Sequence, residues 1–299
     1  MTGAFVAPLA ISAGFLLRLL RRLADIVIGG LLCISPVTAI VALGWITRRM
    51  GATHRGEPRP SWLLGPLGKG VVMRLLGGFA ANIRAGLAAL IGFGAWTLPF
   101  TLVWLGAWWA GWDNSFNKGY EQAWVGPSIF LLGTLVALTV LALLPFAAAH
   151  HAAEGRVSAF FDLRRILRHA RGAGWRGTGL AVLSVGAAVP LFGLVALPVF
   201  VEEIVPGFSA LLLQEQQKVA GGFLLAAAFW AFAALWALRH LAMRAYRREA
   251  KPGRLASVWL LLSAAVWAGL PVLILVGQFM NYAPHRWLIH PFYSLPWPG

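Results

Sequence analysis

Five stretches of this chain run for twenty residues or more with no Asp, Glu, Lys or Arg in their middle: Ala85–Trp109, Val125–Ala149, Gly179–Val201, Val219–Leu238 and Leu255–Phe279. A helix needs about 20 mostly apolar residues to cross the hydrocarbon of a bilayer. Hiding all five in a water-soluble core would require a polar skin, and the chain has nothing to make one from. Of its 299 residues 59% are hydrophobic and 12% charged, against roughly 25% charged in an ordinary soluble domain. The sequence therefore predicts an all-α, polytopic membrane helix bundle. Soluble, disordered and disulfide-framework classes are excluded, and the single cysteine, Cys33, can form neither an internal disulfide nor a thiolate cluster.

The 25 basic residues outnumber the 10 acids. In a soluble protein that excess would point to nucleic acid, but in a membrane protein it marks the side on which basic loops are retained. Residues 48–84 hold seven Lys and Arg, 151–176 six and 239–254 six, while 110–123, 202–218 and 281–299 hold one each. The first three segments are expected in the cytoplasm and the last three outside. Arg48, Arg49, Arg164, Arg165, Arg168, Arg247 and Arg248 are then expected to face anionic headgroups. Twenty-one of the basic residues are Arg, which with the Ala and Gly content points to a GC-rich bacterial genome, and so to the inner membrane.

A sixth apolar stretch, Leu23–Thr47, has Asp25 at its edge and is broken at Ser35-Pro36. A single kinked crossing would strand Arg18, Arg21 and Arg22 on the outer side. A hairpin turning at Pro36 would keep both basic flanks inside, and composition leaves the two open. The expected organisation is an interfacial segment 1–22, a transmembrane domain 23–280 and an extracytoplasmic tail 281–299 rich in Pro and aromatics.

The basic segments resemble one another. One reads Glu57-Pro58-Arg59-Pro60-Ser61-Trp62, the next Glu154-Gly155-Arg156-Val157-Ser158-Ala159-Phe160, and a looser third runs from Glu249 to Trp259. A turn former, an Arg, a Ser able to cap a helix and an aromatic suited to the interface recur, as in a repeat of helix hairpins. After the second copy Ser158–Arg171 is amphipathic, with Phe160, Leu163, Leu167 and Ala170 on its apolar side. Gly44-Trp45-Ile46 with Arg48-Arg49, then Glu57 to Trp62, and His151 to Arg156 leading to Phe160-Phe161-Asp162 resemble an uncharacterised family of bacterial and archaeal multi-pass membrane proteins, over roughly residues 15–205. The resemblance implies an integral membrane protein and carries no activity or catalytic residue.

Motifs for chemistry are sparse. Gly172 to Gly177 satisfies G-x-G-x-x-G, yet it lies in a basic loop before a membrane span and lacks the strand and the distant acid that a dinucleotide site needs. His150 and His151 mark the end of a span and would ligate a metal or tetrapyrrole only if a partner completed the site. Glu202 and Glu203 are adjacent, and neighbours on a helix end point apart. None of the five stretches holds a central ionisable group of the kind that ion-coupled carriers use. No catalytic residue, metal or cofactor is expected.

Aromatics gather at the outer ends, with Trp108, Trp109 and Trp112 on one span and Trp287, Phe292, Tyr293 and Trp297 in the tail. They read as an aromatic belt and as the candidate surface for a membrane-protein partner or a second copy of the chain. The sequence-level expectation is a non-enzymatic accessory, assembly or scaffold subunit. The alternative is a transporter or permease for a lipophilic or neutral solute. A membrane-embedded hydrolase using Glu202 and Glu203 or His150 and His151 ranks last.

Overall fold

The computed structural model describes residues 6–65, 70–116, 124–204, 207, 212–248 and 253–273. Among these there is no strand, and eight α-helices follow in order: α1 (Val6–Leu32), α2 (Pro36–Arg55), α3 (Val71–Phe116), α4 (Val125–Glu154), α5 (Leu163–Ala173), α6 (Trp175–Ile204), α7 (Leu213–Arg247) and α8 (Ala256–Trp267). A 3-10 turn, Val157–Phe161, precedes α5. Five segments are long and apolar enough to cross a membrane: Leu76–Ala107, Val125–Glu154, Trp175–Val195, Gln214–Arg247 and Ala256–Leu273. They coincide with the five apolar stretches of the sequence, so the chain is a multi-pass helical membrane bundle. Their surfaces are apolar, as lipid requires, with Leu90, Leu131, Leu183, Leu224 and Leu261 all exposed.

The break in the sixth stretch falls at the expected place. Pro36 cannot donate a backbone hydrogen bond, Ser35 is extended, and its Oγ accepts from the Val37 N–H at 3.3 Å as the cap of α2. On a continuous helix Arg22 and Arg49 would stand about 40 Å apart. Instead the chain turns through Cys33, Ile34 and Ser35. The contacts along α7 give the directions. Gly29 faces Phe232 and Gly30 faces Phe229, whereas Trp45 meets Phe232 and Trp236, and Arg247 donates to the Thr53 carbonyl. Thus α1 runs against α7 and α2 runs with it, and the pair is a helical hairpin with both basic flanks at one end of the bundle. The helix α1 continues without a break through residues 22 and 23.

This hairpin is anchored by the loop that follows α2. Asp25, 2% exposed, accepts from Arg59 and from the Trp62 indole, 2.9 Å away. Trp62 stacks on Trp45 with 4.3 Å between centroids, and the Trp45 indole donates to the Pro60 carbonyl at 3.2 Å. The second basic loop repeats the device on α3 and α4: Phe160 is fully buried, and its carbonyl accepts from the Trp96 indole at 2.9 Å. In both copies a glycine in the left-handed region ends the preceding helix, Gly56 at φ 71° and Gly155 at φ 73°. The aromatic of each copy is a plug in the bundle, where the sequence suggested an interfacial anchor. The caps differ as well. Ser61 accepts from the N–H groups of Leu63 and Leu64, short of α3, and α5 is capped by Asp162. That helix buries Ile166, Ala170 and Ala173, while Leu163, expected on its apolar side, is exposed.

Candidate functional site

The residue that sets the site apart is Arg239. The sequence reading ends the fourth span at Leu238 and assigns Arg239 to a basic loop. In the structure α7 continues for two more turns, to Arg247, and Arg239 is 8% exposed inside the bundle. The reason is helical phase. Ala228, Phe232, Arg239, Met243 and Tyr246 are all buried at intervals of four, seven, four and three residues, one or two helical turns each, so Arg239 occupies a position on the stripe that faces the other helices. Arg244, Arg247 and Arg248 fall off that stripe and are exposed. Arg239 lies one residue beyond the stretch Val219–Leu238 and eight residues before the end of α7, so the charge is buried toward the basic end of the helix and not at its centre.

Around Arg239 the helices α3, α4, α6, α7 and α8 leave a cavity of about 240 Å³. Its walls are apolar, with Phe93, Leu141, Leu144, Leu235, Trp267 and Leu270 among them. An apolar protein cavity of roughly 150 Å³ suffices to hold benzene, so this one is a chamber rather than a packing defect. Ser184 also lines it, but its hydroxyl is spent on the Leu180 carbonyl at 2.8 Å. The guanidinium of Arg239 lies over Phe93, with Cζ 4.3 Å from the ring centroid. Among the described residues no carboxylate pairs with it. The arrangement is a hydrocarbon-lined chamber with one fixed positive charge, which suits the anionic head of an otherwise apolar molecule.

The neighbouring histidines are engaged. The His151 Nδ1–H donates to the Arg156 carbonyl at 2.9 Å, and the His151 ring stacks on Phe160. His150 Nδ1 lies 2.8 Å from the Tyr246 hydroxyl, and its Nε2 is 3.8 Å from Asp162. The two rings thus face different helices and cannot converge on one ion. No group of three metal-ligating side chains occurs among the described residues. At the G-x-G-x-x-G stretch Gly174, at φ 54°, is the break between α5 and α6, a turn between two helices with no strand before it.

The remaining expected residues fall as follows. Arg48 turns inward and donates to Asn82 Oδ1 at 2.6 Å and to the Gly78 carbonyl at 3.1 Å, tying α2 to α3. Arg49 is half-buried beside it. Arg165 pairs with Glu154 and Asp162 on the surface, and Arg164, Arg168, Arg247 and Arg248 are exposed at the same end of the bundle. Trp108, Trp109 and Trp112 are helical positions of α3, and Trp109 is 64% exposed. Trp287, Phe292, Tyr293 and Trp297, with the whole of 281–299, lie outside the described residues. Glu202 and Glu203 end α6.

Comparison with protein-family models, with curated protein sequences and with solved structures returns no match. The functional reading rests on the geometry of this chain.

Proposed function

We propose that the protein is a bacterial inner-membrane carrier or lipid-handling permease that takes an amphiphilic anion, a carboxylate or phosphate head on a hydrocarbon body, into the chamber at Arg239. One observation carries this reading. Arg239 is buried without a described counter-ion against a ready apolar space, and an unpaired buried charge is costly enough that a bundle gains by dispensing with it. An anion whose tail fills the chamber would repay that cost. The same reasoning changes the expected solute from neutral to anionic, and it calls for binding, with no reaction assigned. By the bias of basic residues the end that carries Arg165, Arg168 and Arg247 faces the cytoplasm.

The test is saturable binding of radiolabelled palmitate to the detergent-purified protein, with hexadecanol of equal chain length as the uncharged competitor. The carboxylate should bind at least tenfold more tightly than the alcohol, and R239M should lose that preference. Equal affinity for acid and alcohol, or an unaltered R239M, overturns the proposal.

The accessory-subunit reading keeps one support, the exposed Trp109 and Trp124 at the end away from the basic loops. It predicts a stoichiometric partner that is lost when residues 281–299 are deleted. An unchanged set of co-purifying proteins after that deletion would reject it.

A further inference from the structure

A second cavity, of about 270 Å³, opens between the first turns of α6 and the last turns of α7. Its helical faces are legible. On α7 Leu241 and Arg244 stand one turn apart with Arg248 just past the helix end, and on α6 residues Arg176, Gly179 and Leu183 follow i, i+3 and i+7 spacing. The groove therefore has an apolar length, from Leu183 and Leu241, and a basic mouth of three arginines contributed by two helices. Trp175 stands at the rim, 62% exposed, with the Arg176 guanidinium 5.4 Å from its ring centroid.

Three like charges around one slot repel each other, so their gathering calls for an anion. On the same end of the bundle Arg165 has Glu154 and Asp162, and Arg55 has Glu57. Among the described residues no carboxylate pairs with Arg176, Arg244 or Arg248. Guanidinium forks match phosphate oxygens bidentately. An apolar groove leading away from such a mouth, on the outside of a bundle of membrane spans, has the form of a phospholipid lying against the protein, head at the arginines and acyl chain along Leu183. The floor is open at Gly179, where a Cβ would meet nothing within 4 Å.

We propose that this groove is a binding site for an acidic phospholipid of the leaflet at the basic end, one whose head carries more than a single negative charge. Leu180 lines both this groove and the chamber at Arg239, so the two share a wall. The sites are otherwise separate, and this proposal stands if the reading of Arg239 fails.

The test is native mass spectrometry of the full chain in mild detergent with added phosphatidic acid, phosphatidylcholine or inorganic phosphate. Phosphatidic acid should form a one-to-one complex that outcompetes phosphatidylcholine at least tenfold. Both R176Q/R244Q, which removes charge, and G179L, which fills the groove and keeps its charge, should weaken it at least tenfold, while R74Q/R84Q, an equal loss of charge elsewhere, and R239M should not. Equal retention of the two lipids, or equal loss in R74Q/R84Q and R176Q/R244Q, would mean diffuse surface attraction and overturn the site. Full competition by inorganic phosphate at the lipid's concentration would mean a head-only anion site and overturn it as well, as would full retention in G179L.

Discussion

The guanidinium carbon of Arg239 lies over the ring of Phe93, Cζ 4.3 Å from the ring centroid. A desolvated contact of this kind is worth about 2 kcal/mol, while taking the charge out of water costs several kcal/mol even after relaxation. The balance is against stability. R239M, which keeps an unbranched apolar stem and removes the charge, should therefore melt no lower than the wild type and up to several degrees higher in the same detergent, with the preference for palmitate abolished. F93L should melt lower, by the equivalent of about 1–2 kcal/mol. A destabilised R239M would mean that the charge is part of the structural framework and would remove the argument for a ligand.

The hairpin of α1 and α2 makes a topological prediction. In a C33S background, single cysteines at Arg18 and at Glu57 should react with a membrane-impermeant maleimide from the same side of the membrane, and a cysteine at Ser128, at the start of α4, from the opposite side. The expectation follows from α1 running against α7 while α2 runs with it. Labelling of positions 18 and 57 from opposite sides would require α1 and α2 to be one kinked crossing.

Much of this architecture is legible in the residues, and the exceptions are of two kinds. The five spans and the break at Ser35-Pro36 follow from apolar length and from a proline that cannot donate, which are local properties. The direction taken after that break is settled by Asp25, whose partners Arg59 and Trp62 come from a loop more than thirty residues away. No local pattern predicts that pairing. Arg239 is the other kind. Its burial is written in the spacing of Ala228, Phe232, Met243 and Tyr246, but reading a span as ending at its first charge hides the phase. The inward turn of Arg48 is of the first kind, since it depends on Asn82 arriving from α3. A partner-binding role for the aromatic tail lies beyond residue 273 and draws nothing from the geometry.

Among the described residues Asp25 is the only buried carboxylate, and it holds two loop residues against the hairpin. Removing one partner of a buried ion pair costs about 3–5 kcal/mol, because the other charge is left without compensation. Arg59 keeps 31% of its side chain exposed, so water relieves part of that cost and the lower figure applies. D25A should destabilise the purified protein by about 3 kcal/mol and R59A by less, with the double variant recovering part of the loss. Additive effects of the two single changes, measured by thermal unfolding in one detergent, would show that the pair does not couple.

A close approach of two backbones, α2 against α3, gives the last prediction. A Cβ placed on Gly44 would collide with the Asn82 carbonyl, and one on Gly86 would collide with the Ile40 carbonyl. The obstacle is backbone in each case, so no side-chain rotation relieves it, and α2 would have to move away from α3. That movement would also break the bond from Arg48 to Asn82. At Gly94, on the same helix, a Cβ would meet nothing within 4 Å. G86V should therefore unfold at a much lower temperature, with a loss of at least about 2 kcal/mol from overpacking, and G94A should match the wild type or exceed it slightly through better helix propensity. Equal stability of G86V and the wild type would place α2 farther from α3 than this structure does.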